Sequence, residues 1–290
     1  MAVPGLSSRV SPNTNTRLLS RTAASFLGFN LVELLTVTSI LSVLFALLFP
    51  ALSSAAERGR QTACLNNLRQ LSLAWQLYSD DHGKLALNGF INANGNDKTP
   101  YWVQGYLNHG ASPDATNTAL LNDSRFALFA PYIPTVQSYR CPSDRKLFEL
   151  FRTPHSAFRA SKVRSYSLNG FLGWNFAVGS SPPGRVALKE SQIPRPQDRL
   201  TFADLRADSI CWPFFGINGD ESFFMYPAAY HGRAGMLSFA DGHTERHRWT
   251  DPRTYNPARI DWHSHNQDSR RNPDLTYLQR HATDQFGFEP

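Results

Sequence analysis

The chain has 290 residues, too many for one small domain, and its modest charge with 19 Pro, 18 Gly and many aromatics suits a loop-rich, β-containing head better than a helical bundle. The net charge is +6, but Arg9, Arg17 and Arg21 supply half of it from the first 28 residues, which hold no acid. No Lys/Arg cluster interleaved with aromatics appears, so no nucleic-acid partner is expected.

Residues 1–28 are rich in Ser, Thr, Arg and Asn without apolar periodicity and read as a leader. From Phe29 to Leu52 the chain runs FNLVELLTVTSILSVLFALLFPAL, 24 residues with one charge, Glu33. At about 1.5 Å per residue, that run crosses a bilayer core of about 30 Å as a single helix. Its scattered Thr and Ser form no polar stripe of the kind a soluble core helix carries. A carboxylate costs roughly 2.5–3.5 kcal/mol at the membrane centre and less near the interface, so Glu33 either snorkels to water or has a partner.

Gly28-Phe29-Asn30-Leu31-Val32-Glu33-Leu34 resembles the class III signal of type IV pilins and type II secretion pseudopilins. The resemblance implies cleavage between Gly28 and Phe29 by a prepilin peptidase on the cytoplasmic side, then methylation of Phe29 by the same peptidase/methyltransferase. It also implies that Glu33 pairs with the Phe29 amine of a neighbouring subunit, an ion pair in low dielectric. Asn30 departs from the Thr more common in that family. The Arg residues before the span, against mixed Glu57, Arg58 and Arg60 after it, place the N-terminus in the cytoplasm. The alternatives are an uncleaved signal anchor and, less consistent with the flanks, an ordinary signal cut near Ala55-Ala56. Pro50, at an offset where the family has a proline, predicts a kink or local melting around residues 46–50.

Beyond the span, Cys64, Leu68, Leu71, Trp75 and Tyr78 recur at 4, 3, 4, 3 and draw one stripe along an amphipathic stem helix. The stripe is too short for a coiled coil and is expected to pack on the chain's own head, with Gly83 as a left-handed cap. The stretch from Cys64 to Leu71 also resembles a pseudopilin-like subfamily with an H-X9-DG motif.

After Lys84 turn signals recur between short strand-like runs, among them Tyr166–Trp174, Leu200–Ala203 and Met236–Ala240. The expected fold is α+β and pilin-like: a long N-terminal helix, half transmembrane and half amphipathic, packed on an antiparallel sheet. The predicted organisation is leader 1–28, transmembrane helix 29–52, stem helix 53–82, head 83–250 and polar tail 251–290. Residues 90–119 and 176–192 read as surface excursions.

His231 precedes Asp241-Gly242 by nine intervening residues, so the H-X9-DG pattern stands in this chain. Asp241-Gly242 between strand-like runs predicts a two-residue type I′ turn. A His–Asp pair needs a nucleophile to form a triad, and Ser238 lacks the Gly-x-Ser-x-Gly elbow, so His231, Asp241 and Gly242 read as fold-fixing. His243, Glu245 and His247 share one strand face without completing a zinc set. Calcium is the more realistic cation, because the resemblance brings it in and Asp204, Asp208, Asp220 and Glu221 offer oxygen ligands. No calcium loop is recognisable, so no metal site and no cofactor are named. Of Cys64, Cys141 and Cys211, a Cys64–Cys141 disulfide would staple stem to sheet, though spacing alone allows three pairings.

The resemblance implies a structural subunit of a type II secretion pseudopilus or type IV pilus-like filament, not an enzyme. Its partners would be the prepilin peptidase/methyltransferase, other pilin-like subunits and the inner-membrane assembly platform. It would be held by one span with the head periplasmic, and become extracytoplasmic on assembly. The alternatives are a single-pass periplasmic enzyme or ligand-binding protein, and a minor pilin whose head adheres through exposed Trp102, Trp174 or Trp212.

Overall fold

The computed structural model describes residues 30–91, 99–107, 112–153, 156–177, 179–180, 182–257 and 265–286. The chain divides into two units, Met1–Leu52 and Ser53–Pro290, and helix α1 (Leu31–His82) contributes to both. Residues 31–52 of α1 form a candidate membrane span, exposed throughout and apolar apart from Glu33 and scattered Thr and Ser. The loosening expected around Pro50 does not interrupt the helix, which continues through that residue. The helix stops at His82; Gly83 takes φ +64° and donates to the Ser79 carbonyl at 2.8 Å, as the cap reading predicts.

The predicted stripe is the buried face of α1. Cys64, Leu68, Leu71, Trp75 and Tyr78 are all buried, while Arg58, Asn66, Arg69 and Gln70 face out. That face covers a five-stranded sheet built from β3 (Tyr166–Asn169), β4 (Leu200–Asp204), β5 (Phe214–Phe215), β7 (Ala234–Phe239) and β8 (Thr244–Arg248), in the order β5-β3-β4-β7-β8. Separate two-stranded ladders join β1 (Phe148–Thr153) with β2 (Ser156–Ala160), and β6 (Ser222–Phe223) with β9 (Gln267–Asp268).

The sheet is mixed rather than antiparallel: β5 runs parallel to β3, and the other pairs are antiparallel. The cause is a short crossover. β4 ends beside the start of β3, and residues 205–213 carry the chain to the far edge of β3, from where β5 must run in the same direction.

Both faces of the central strands are covered, which is why β3, β4 and β7 are buried at every position. On the stem side Phe202, Leu168, Tyr166 and Met236 join the α1 stripe. On the other side Leu200, Ala203, Leu237 and Phe239 join α4 (Pro273–Ala282) through Leu275, Leu278 and Ala282. Leu200 and Phe202 are two residues apart yet belong to opposite sides, because the β4–β7 register slips between Leu200 and Ala203. Ser238 fills that irregularity, its hydroxyl accepting from Phe202 N at 3.1 Å and bonding Thr201 Oγ1 at 2.8 Å.

One expectation fails here. Residues 99–107 are not a surface excursion, since Tyr101, Trp102, Val103 and Leu107 are buried. The polar tail is ordered from Gln267 to Phe286. Asn272 caps α4 by accepting from the Asp274 and Leu275 amides, and Asp274 in turn accepts from the Thr250 and Asp251 amides.

Candidate functional site

Gly28 and Phe29 lie outside the described residues. At the head of α1, Asn30 Oδ1 accepts from Val32 N at 3.2 Å and Glu33 Oε2 accepts from Asn30 N at 3.0 Å. This reciprocal pair is a capping box, so in the single chain both side chains satisfy amides that the helix start leaves open.

Within the head, four buried side chains from four elements converge. The α1 stripe brings Cys64; the turn Cys141-Pro142-Ser143-Asp144 brings Cys141; the end of β4 brings Asp204; and the turn before β7 brings His231. Each of the four has no solvent exposure, and their ligating atoms all lie within 4.8 Å of one another. Cys64 Sγ stands 3.1 Å from Cys141 Sγ, 3.8 Å from Asp204 Oδ2 and 3.0 Å from the Tyr166 hydroxyl. His231 turns Nε2 toward Cys141 Sγ at 3.3 Å and Nδ1 toward Glu57 Oε1 at 3.0 Å. Gly232 and Arg233, both with φ near +65°, make the tight turn that folds His231 inward.

Burial dominates the electrostatics. It pushes the Asp204 carboxyl well above its usual range, with Cys141 and Asp144 adding to the rise. The Cys64 contact and burial push the Cys141 thiol up, and burial does the same to Cys64. Burial lowers His231 against the opposing pull of Glu57. For Glu57 burial acts upward, but hydrogen bonds from Arg60 and His231 win and hold it below the ordinary value. Burial thus disfavours the charged form of each group in the cluster. Asp204 Oδ1 in particular is buried without a hydrogen-bond partner among the described residues.

A family model described as "Protein of unknown function (DUF1559)" matches residues 53–204, slightly more than half of the chain. The chain belongs to the DUF1559 family. The matched stretch holds Cys64, Cys141 and Asp204 and stops before His231; it also begins after the apolar run. No curated protein and no solved structure matches the chain.

The rest of this DUF1559 head disperses the other sequence candidates. His231 and Asp241 are not partners: Asp241 sits exposed in the β7–β8 turn, where Oδ1 accepts from His243 N at 3.0 Å and contacts His243 Nδ1 at 2.6 Å. The turn is a three-residue loop rather than type I′. Phe239 N donates to the His243 carbonyl at 3.0 Å, and of the loop residues Gly242 alone has positive φ, +90°.

Glu245 and His247 engage Tyr277 of α4, by a hydrogen bond and a ring stack, while His243 stacks on Phe239. Asp208 pairs with Lys146 and Arg206, Asp220 with Ser222, and Glu221 accepts from Arg271 N, so the proposed oxygen ligands do not converge. Trp102 and Trp174 are buried and Trp212 is half-buried among Tyr106, Phe214 and Phe224, which removes the exposed aromatic face an adhesive head needed.

Cys64 and Cys141 do meet, and both are free thiols. Sequence reasoning missed Glu57 and Tyr166, and Asp204 entered it only as an oxygen ligand among others. The available signal was the buried stripe carrying Cys64.

Proposed function

We propose that this DUF1559 protein is a pilin-like structural subunit of a type II secretion pseudopilus or type IV pilus-like filament. It is made as a precursor, cut between Gly28 and Phe29, methylated on Phe29 and held in the inner membrane by residues 29–52, with the head periplasmic. Assembly packs the apolar helices of neighbouring subunits together, with Glu33 of one subunit facing the Phe29 amine of the next. The head acts as architecture rather than as a catalyst: Ser238 is tied into the sheet and Asp241 is turned away from His231.

The observation that carries the reading is the asymmetry of α1. Its first part exposes an apolar surface with a single carboxylate one turn from the start, and from Cys64 onward one face is buried in the head. A plain membrane anchor needs only the apolar surface; the first-turn carboxylate caps the helix in the single chain and, in an assembly, is placed to meet a neighbour's amine.

Intact-mass and N-terminal analysis of the protein from its native membrane tests this directly. A chain beginning at methylated Phe29 is expected, and Gly28→Leu is expected to retain the 28-residue leader. Glu33→Ala should be processed yet fail to enter filaments. Retention of the leader in cells with an active prepilin peptidase, or normal incorporation of Glu33→Ala, overturns the reading.

A further inference from the structure

We propose that Cys64, Cys141, Asp204 and His231 form a binding site for one divalent transition-metal ion, with zinc as the ion whose ligand preferences they match. The inference stands on the head alone and does not depend on the pilin-like reading.

Two thiolates, one imidazole and one carboxylate make a complete four-ligand set of the type that closed, tetrahedral zinc sites use. The four donor atoms already lie within 4.8 Å of one another, in full burial. Zn–S bonds of about 2.3 Å at a tetrahedral angle place two sulfurs ~3.8 Å apart. The thiols at 3.1 Å therefore part by roughly 0.7 Å when the ion enters.

Two observations separate this from a Cys64–Cys141 disulfide. The first is Asp204: a fully buried carboxyl whose Oδ1 has no hydrogen-bond partner among the described residues is costly unless something else satisfies the group. A disulfide supplies nothing to that carboxyl, whereas a cation bound by it offsets its burial. The second is the orientation of His231. Its Nε2 faces the sulfurs while its Nδ1 meets the Glu57 carboxylate at 3.0 Å. A carboxylate behind a histidine fixes the tautomer and raises the basicity of the nitrogen aimed at a metal, and a disulfide has no use for it. Tyr166, 3.0 Å from Cys64 Sγ, provides a hydroxyl donor to that sulfur once it is a thiolate.

Loading displaces the thiol protons, and any proton on the ligating carboxyl, to solvent. A cleft of about 830 Å³ lies beside the cluster, with Cys141, Pro142, Asp144 and Asn67 in its wall. With four protein ligands in full burial, the ion's role is structural. It fastens the stem helix, the Cys141 turn, β4 and the β7 turn at one point.

The test uses the full chain purified in detergent, with zinc measured by elemental analysis. About one zinc per chain is expected. Chelation should remove it and lower the melting temperature, and zinc alone should restore both. Cobalt alone, added to the stripped chain, should give thiolate-to-metal absorption. Glu57→Gln keeps all four ligands and should weaken zinc about 10–100-fold without loss of fold. Cys211→Ala removes the cysteine outside the cluster and should leave zinc stoichiometry unchanged. A folded, reduced chain that takes up neither zinc nor cobalt overturns the proposal. So does a metal-free native chain with Cys64 and Cys141 linked, or zinc affinity unchanged in both Glu57→Gln and His231→Gln.

Discussion

If the stripe on α1 is what docks the stem on the sheet, neighbouring leucines of the same helix should differ sharply on truncation. Leu71 has no solvent exposure and shares a core with Phe202, Met236 and Trp75, whereas Leu73 is 52% exposed. Leu71→Ala removes buried methyl groups and leaves a cavity walled by rigid neighbours, a loss of about 2–5 kcal/mol. At roughly 3 kcal/mol the folded-to-unfolded ratio drops ~10²-fold. With a urea slope of about 2 kcal/mol/M, the midpoint then falls by about 1.5 M. Leu73→Ala should stay within about 0.5 kcal/mol of the parent. Urea titration of the detergent-solubilised chain, followed by tryptophan fluorescence, reads both, because Trp75 and Trp102 are buried in that core. Helix propensity changes equally in the two variants, so any difference reports burial. Equal midpoints for Leu71→Ala and Leu73→Ala would refute the docking argument.

Backbone space gives a second contrast. A Cβ at Gly173 would sit 2.0 Å from the Ala86 carbonyl oxygen at φ +68°, while Gly59, inside α1, has open space around it. Gly173→Ala should therefore abolish soluble folded head, and Gly59→Ala should raise stability by up to about 1 kcal/mol through helix propensity; circular-dichroism melts read both. On acidification, His281 matters: burial lowers its pKa against the opposing Asp198 carbonyl, to which its Nδ1 donates at 2.8 Å, and the Glu245 charge. The unfolded chain then binds the proton more readily, so this contribution is full above about pH 6.5 and is lost as pH falls toward the folded value. His281→Gln should flatten the decline in stability between pH 7 and 5, and an unchanged slope would remove His281 as its cause.

The parts of the fold that were legible in the sequence are those fixed by local periodicity. The 4, 3, 4, 3 spacing named the five large residues of the stem's buried face, leaving out Ser72, Ala74 and Ser79, and the glycine after His82 named its end. α4 was legible in principle: Asn272-Pro273 is a helix start, and Leu275, Leu278 and Ala282 share a face. The polar residues between them hid it. The parallel β5 was not legible, because two residues carry no direction and the crossover is set by where β4 ends. Nor was the thiol cluster. Its members are 77, 63 and 27 residues apart in sequence, so only the tertiary fold brings them together. The turn was misread for a local reason: Asp-Gly does favour type I′, but pairing Phe239 with His243 leaves three residues to span, and only Gly242 must be left-handed.

That turn and His231 raise a sharper question about the spaced motif. Read as a pattern, His231 and Asp241-Gly242 suggest a unit, yet each end is tied to a different place on α1. His231 meets Glu57, while the Ala240 carbonyl accepts from Gln76 and a side chain on Gly242 would crowd that same Gln76. Glu57 and Gln76 are nineteen residues apart, roughly 28 Å of helix at 1.5 Å per residue. The motif is thus two clamps on one helix, joined by β7. Groups that far apart without a shared partner contribute independently, within about 0.5 kcal/mol. His231→Ala should be the costlier change, since it opens a buried cavity and leaves Glu57 without its imidazole. Asp241→Ala loses only exposed turn contacts and should cost about 1 kcal/mol or less. In a double-mutant cycle on the stability of the full chain, the two costs should add. A coupling energy well above 0.5 kcal/mol would mean that His231 and Asp241 sense one another after all, and that the spacing encodes a pair rather than two anchors.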